Sequence, residues 1–179
     1  MRKVFLLTFL ALAVVGYAKA QRPTNGFKVF AEAGIAIRTP RFIHEPSEQR
    51  VADYLEKSLD LTVTGGYQFN KTLIVGLGTG LSYALEPKST LIPLFADFRF
   101  TLSRSSLAPF IGLKSGYVFG LDSGLYGYVM LCPSFGVKVY HNLYATLGYN
   151  FQWAKGEDAS YNEFSGQNQS IEVKLGWNF

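Results

Sequence analysis

Leu59, Leu61, Val63, Tyr67 and Phe69 alternate along the chain with Asp60, Thr62, Thr64 and Gln68. A two-residue period places the apolar side chains on one face of an extended strand and the polar ones on the other. Leu143, Ala145, Leu147, Tyr149, Phe151 and Trp153 repeat the pattern against Tyr144, Thr146, Gly148, Asn150 and Gln152. The alternation predicts eight strands: Phe27–Ile37, Leu59–Phe69, Leu73–Tyr83, Ile92–Phe100, Pro109–Phe119, Val129–Val139, Leu143–Trp153 and Ile171–Phe179. After the first twenty residues no segment keeps a helical period or reaches membrane-helix length. The fold class is all-β.

The two faces differ in what can solvate them. Over the eight strands the apolar face has 46 positions and carries no Asp, Glu, Lys or Arg. The other face has 38 positions and carries nine charges: Lys28, Glu32, Asp60, Asp97, Arg99, Lys114, Lys138, Glu172 and Lys174. It also holds ten glycines, whereas fourteen large aromatic side chains lie on the apolar face. A soluble carrier would turn the apolar face inward, and a membrane barrel turns it outward. Eight strands enclose just enough room for their own side chains. That lumen suits a glycine-rich face and has no room for fourteen rings. The pattern therefore predicts a single eight-stranded antiparallel up-and-down transmembrane β-barrel.

The connections alternate in length, with Asn70–Thr72 and Tyr140–Asn142 short and Arg38–Ser58 and Ala154–Ser170 long. Outer-membrane barrels have short periplasmic turns and longer outer loops, so both chain ends are expected in the periplasm. An open edge in hydrocarbon leaves backbone groups unpaired, so the first and last strands are expected to pair. Pro93, Pro109 and Pro133 lack a donor and are expected at bulges or rims. Phe27, Tyr67, Phe69, Phe98, Phe100, Trp177 and Phe179 fall near one rim, and Tyr83, Tyr117, Phe119, Phe151 and Trp153 near the other. Two aromatic girdles at headgroup level would look like this. The closing alternation Ile171–Phe179 suits a strand whose outer face touches lipid.

Residues 1–20 read as a cleaved secretory signal: Arg2 and Lys3, the apolar run Val4–Val15, then Ala18-Lys19-Ala20. The run is short for a membrane-spanning helix. The expected mature domain is 21–179. Without Arg2, Lys3 and Lys19 it has 14 basic residues against 13 acidic, a balance that gives no basis for a nucleic-acid partner. Cys132 is the only cysteine, so no intramolecular disulfide can form.

The nine inward charges comprise five bases and four acids, which suggests ion-pair networks that plug the lumen, since a buried charge needs a partner. A selective pore would show one sign in excess. A rim position in water is the alternative for some of these groups. Little else carries chemistry. His44 lies in the first long connection beside Glu45, Ser47 and Glu48, and His141 in a tight turn with Asn142. His44 is the better candidate for a catalytic base, but its loop lacks rigid support. No metal-ligand spacing occurs, and no cofactor is implied. Cys132 reads as a small packing residue. Gly76-Leu77-Gly78-Thr79-Gly80 has no helix after it and reads as a strand beside a crowded lumen.

The segments Ile92–Phe100, Ala108–Tyr117, Pro133–Lys138 and Leu147–Tyr149 resemble the small porin-like outer-membrane β-barrel domain family of Gram-negative bacteria. The resemblance covers nearly the whole mature chain and implies a barrel rather than any activity. The ending with Gly176, Trp177 and Phe179 is similar to the terminal signal read by the barrel-assembly machinery, which the resemblance makes a transient partner. Outer-membrane lipid is the other expected partner. Residues 39–58 and 154–170 are where an extracellular ligand would bind, because loops on a rigid scaffold carry recognition. The expected role is structural or surface-interacting, without catalysis. The alternatives are a narrow channel or transport component and a lipid-modifying enzyme.

Overall fold

The computed structural model describes residues 26–38, 57–85, 88–103, 107–121, 127–157 and 163–179. They form β1 (Gly26–Arg38), β2 (Lys57–Gln68), β3 (Leu73–Ala84), β4 (Ser89–Thr101), β5 (Pro109–Gly120), β6 (Gly127–Tyr140), β7 (Leu143–Glu157) and β8 (Glu163–Asn178). Each strand pairs antiparallel with the next, and β8 returns to β1 to close the barrel. At the seam the Asn178 N–H donates to the Asn142 carbonyl at 2.9 Å and the Phe179 N–H to the Val29 carbonyl at 2.9 Å. The last strand is thus tied to both neighbours and leaves no edge for another chain to extend. The expected signal segment, 1–20, and His44 lie outside the described residues.

The alternation decides which way each side chain points. Leu61, Leu147 and Leu175 are 57%, 55% and 59% exposed on the outer surface. Asp60, Lys114 and Glu172, one residue out of phase with such positions, are 6%, 7% and 6% exposed in the interior. A register slip of one residue would exchange these sets, so the barrel's registers are strongly specified. The rings of the two rims also face outward and contact one another along single strands: Tyr67 meets Phe69 edge to face at 5.1 Å, Tyr117 lies tilted against Phe119 at 4.9 Å, and Phe151 stacks on Trp153 at 5.8 Å between centroids.

Three expectations need correction. Ala154–Ser170 is not a loop throughout, because β7 and β8 stay paired up to Glu157↔Glu163. Between Trp153 and Ile171 the sequence is mostly polar, and apolar alternation ceases to mark strand. β4 likewise begins at Ser89, ahead of its first apolar residue. Finally, Pro93 and Pro133 sit in mid-strand rather than at bulges or rims. Pro93 keeps its partner Val118, and Pro133 keeps Leu113. On the opposite side the ladder is interrupted without a change of register, between Thr79↔Leu94 and Ser82↔Leu91 for one and between Leu131↔Phe151 and Ser134↔Gly148 for the other. The Thr79 hydroxyl donates to the Pro93 carbonyl at 2.9 Å, so an outward polar side chain supplies a hydrogen bond inside the gap. The one register shift falls between Lys138 and Tyr140, beside the β6–β7 turn, where His141 adopts φ 39°.

Candidate functional site in the barrel lumen

The inward residues form tiers along the barrel axis. Nearest the end that holds both Gly26 and Asn178, Phe30, Phe110 and Tyr144 pack together with Ile74. Near the opposite end, Phe95, Val118, Met130 and Cys132 pack with Leu91 and Tyr128. Cross-strand glycines make room for the rings. Phe95 is paired with Gly78, Phe110 with Gly136 and Tyr144 with Gly176. A Cβ at Gly136 would lie 2.2 Å from the Phe110 ring, and one at Gly176 would lie 2.2 Å from the Tyr144 ring. Neither strand could carry a larger residue without expelling the ring opposite.

The charges lie among and beside these apolar side chains. Glu32 on β1 is the hub. It pairs with Arg99 of β4 at 2.7 Å and with Lys114 of β5. It also accepts hydrogen bonds from the Thr62 hydroxyl at 3.1 Å and the Tyr144 hydroxyl at 2.9 Å. Five strands therefore converge on one carboxylate. Arg99 also donates to Asp97, with Nε and Nη2 at 2.9 and 2.6 Å from Oδ2, so its Nη2 serves both carboxylates. Its guanidinium lies 4.2 Å from the Phe30 ring centroid and 5.2 Å from that of Tyr144. Cation–π attraction is strengthened where water is excluded. A second group forms around Lys174 of β8, which contacts Glu172 at 2.5 Å and Asp60 at 3.4 Å. Asn150 Nδ2 donates to Glu172 at 2.6 Å and Ser82 Oγ to Asp60 at 2.5 Å.

Seven of the nine inward charges thus meet: Glu32, Asp60, Asp97, Arg99, Lys114, Glu172 and Lys174. Lys28 and Lys138 do not. Both share the inward parity but stand at the terminal rim, Lys28 half-buried and Lys138 exposed, and neither is ion-paired among the described residues. Alternation reports the face a residue takes and is silent about its depth. The polar partners Thr62, Ser82, Tyr144 and Asn150 were absent from the sequence candidates. A signal for them existed, since each is a polar residue at inward parity within a strand. The inward rings carried a signal too, since each of three sits opposite a glycine.

The packing leaves little space. Cavities in the lumen measure about 10 Å³ beside the hub and about 40 Å³ each in two spaces further toward the Arg38 end. Room for a water molecule or two remains, and none for a substrate. Cys132 Sγ is enclosed, 3.8 Å from Glu172 and against the Gly148 backbone position. His141 stands in a turn at the terminal end, beside Tyr140.

Among solved structures the chain is similar to Neisserial surface protein A, with a TM-score of 0.54 and 15% identity over 86% of this chain and 97% of that one. The chain has the fold of the small eight-stranded outer-membrane barrels. It is also similar, more distantly, to the outer membrane protein OprG of Pseudomonas aeruginosa, with a TM-score of 0.48 and 12% identity over 87% of this chain and 97% of that one. A de novo designed transmembrane β-barrel gives 0.47 and 13% over 89% and 98%. No protein-family model and no curated protein sequence matches the chain.

Proposed function

We propose that this protein is an integral outer-membrane β-barrel with a structural or surface-interacting role, exercised through its outer loops and without catalysis. The observation that carries the reading is the inverted distribution of side chains, with leucines outside and ion pairs inside. A soluble monomer rarely exposes contiguous apolar patches beyond a few hundred Å². Here the apolar surface runs round the barrel on every strand, interrupted by few polar groups. Acyl chains solvate such a belt, and the outward rings at both rims fit the headgroup level.

The lumen supports a scaffold over a channel. Two apolar tiers and a hydrogen-bonded charge cluster fill it, and an ion crossing it would have to break pairs that cost several kcal/mol each to open. It also supports a scaffold over an enzyme. The described histidine, His141, lies at the terminal end, remote from the outer loops, and Cys132 is enclosed.

The short β2–β3 and β6–β7 turns share an end with both termini, which supports a periplasmic location for that end. Gly176 faces the Tyr144 ring, while Trp177 and Phe179 project outward beside it, an arrangement that suits a terminal signal presented to the assembly machinery. We propose residues 39–58 and 154–170 as the segments that would take an exterior ligand, since loops on a rigid scaffold carry recognition.

Membrane fractionation followed by gel mobility of unheated and boiled samples tests the reading. The protein is expected in the detergent-extracted envelope fraction and should migrate differently before and after boiling. Recovery in the soluble fraction, or equal mobility in both samples, overturns it. In planar bilayers the folded protein is expected to give no stable single-channel steps.

A further inference from the structure

Charge is distributed unevenly between the two ends of the barrel. Counted in sequence over the connections and the three outermost residues of each strand, the end that carries Arg38 holds nine acids and six bases. The end that carries Gly26 and Asn178 holds five bases and no Asp or Glu. Arg99 is one of the five and is bound in the hub. The other described bases are Lys28 on β1, Lys71 in the β2–β3 turn and Lys138 on β6, so they are spaced round the mouth.

These three lysines have no counter-charge. Lys71 and Lys138 are exposed and Lys28 is half-buried, and none is ion-paired among the described residues. Like charges on one rim repel one another and attract anions. A second observation says what kind of anion. Exposed apolar side chains adjoin each lysine: Phe27 precedes Lys28, Phe69 stands two residues before Lys71, and Val139 and Tyr140 follow Lys138. Trp177 lies outward on β8, opposite Leu143 of β7 and Ala31 of β1, on the stretch of wall between Lys138 and Lys28. Outward rings of this kind belong at the headgroup level of a bilayer. A partner for this rim therefore meets cations and apolar surface together. A lipid with an anionic headgroup satisfies both, whereas a soluble acidic polymer satisfies only the first.

We propose that the terminal rim docks anionic phospholipid headgroups, with Lys28, Lys71 and Lys138 as the attracting bases and the outward rings beside them fixing the height. The proposal deepens the membrane reading and rests on it. The opposite rim, where acids outnumber bases, has no such selectivity.

The test uses the full chain refolded into vesicles and reads quenching of tryptophan by lipids brominated on the acyl chain. Trp153→Phe leaves Trp177 as the reporter of the terminal rim, and Trp177→Phe leaves Trp153 as the reporter of the other. At equal mole fraction, brominated phosphatidylglycerol is expected to quench Trp177 with an about threefold preference over brominated phosphatidylcholine. Trp153 should show none. The preference should vanish when Lys28→Gln, Lys71→Gln and Lys138→Gln are combined, and also at about 1 M salt, where the screening length falls to about 3 Å. Equal quenching of Trp177 by the two lipids overturns the proposal. So does a preference that survives the triple substitution or the salt, or one of the same size at Trp153. Should the triple variant fail to fold, the salt dependence of the lysine-bearing protein decides. Equal quenching together with binding of polyglutamate would assign the rim to an acidic polymer, and overturns the proposal as well. Quenching by either lipid reports membrane contact itself, so a missing preference bears on this rim and not on the membrane assignment.

Discussion

Replacing Glu32 by alanine removes the point on which five strands converge. The side chain is buried, meets Arg99 and Lys114, and accepts from Thr62 and Tyr144. Breaking a buried ion pair by deleting one partner costs about 3–5 kcal/mol, because the other charge stays enclosed and unpaired. Arg99 retains Asp97, so most of the penalty falls on Lys114, whose other close contact is the Phe95 ring at 5.2 Å. The lost Thr62 and Tyr144 hydrogen bonds act in the same direction, and each is worth about 1.5–3 kcal/mol to a charged acceptor. Because side chains relax and water enters, these terms do not add in full, and the expected loss is about 4 kcal/mol. Folded domains have a total stability of roughly 5–15 kcal/mol, so this is a large share. The assay is urea unfolding of the barrel in detergent micelles, followed by the fluorescence of Trp153 and Trp177. At a slope of about 2 kcal/mol/M, the midpoint should fall by about 2 M. Lys138→Ala, an exposed rim lysine, is the control and should move stability by no more than about 0.5 kcal/mol. A Glu32→Ala loss below about 1 kcal/mol, the level of an exposed pair, would refute the reasoning, because it would mean that water already solvates the cluster.

Gly136→Val should prevent closure, since its side chain would occupy the space of the Phe110 ring; the faster-migrating unheated species should vanish from gels, and its survival would count against a packed lumen. Leu147→Arg places a charge on the outer surface of β7 and should cost about 2–4 kcal/mol for a barrel folded in vesicles if that position lies near the bilayer midplane. A loss within about 0.5 kcal/mol would locate it in water. Trp177→Ala should lower the yield of assembled protein in cells and leave the urea midpoint of the purified barrel within about 1 kcal/mol, as expected of a residue read during assembly; unchanged yield would remove it from that role.

The strands and their faces were legible because one side of each is apolar and free of charge. Leu59, Leu61 and Val63 against Asp60, Thr62 and Thr64 define face and period without any knowledge of neighbours. What the pattern could not carry was depth. Lys28 and Glu32 share a parity on one strand, yet one lies at a rim and the other at the hub, because strand tilt and stagger set the height at which each residue meets the far wall. The partners of Glu32 come from strands up to 112 positions away in sequence, and that distance is invisible to a local period. The ends of β7 and β8 were missed because polar residues outside an apolar layer have no reason to alternate with apolar ones. The mid-strand prolines were misplaced because a single missing donor can be absorbed by one interrupted ladder position, without a bulge.

The account depends on which solvent touches the two faces of a strand, and β7 offers the most direct measurement. Single cysteines are placed in turn at the outward positions 145, 147, 149 and 151 and at the exposed turn position 141 in a Cys132→Ser background, spin-labelled, and reconstituted in vesicles. Collision rates are then read with oxygen, which concentrates in lipid, and with a water-soluble nickel chelate. Labels at 145, 147, 149 and 151 are predicted to collide with oxygen and not with the chelate, while the label at 141 in the β6–β7 turn collides with the chelate. Strong collision of the chelate with the odd positions at mid-strand would contradict the account.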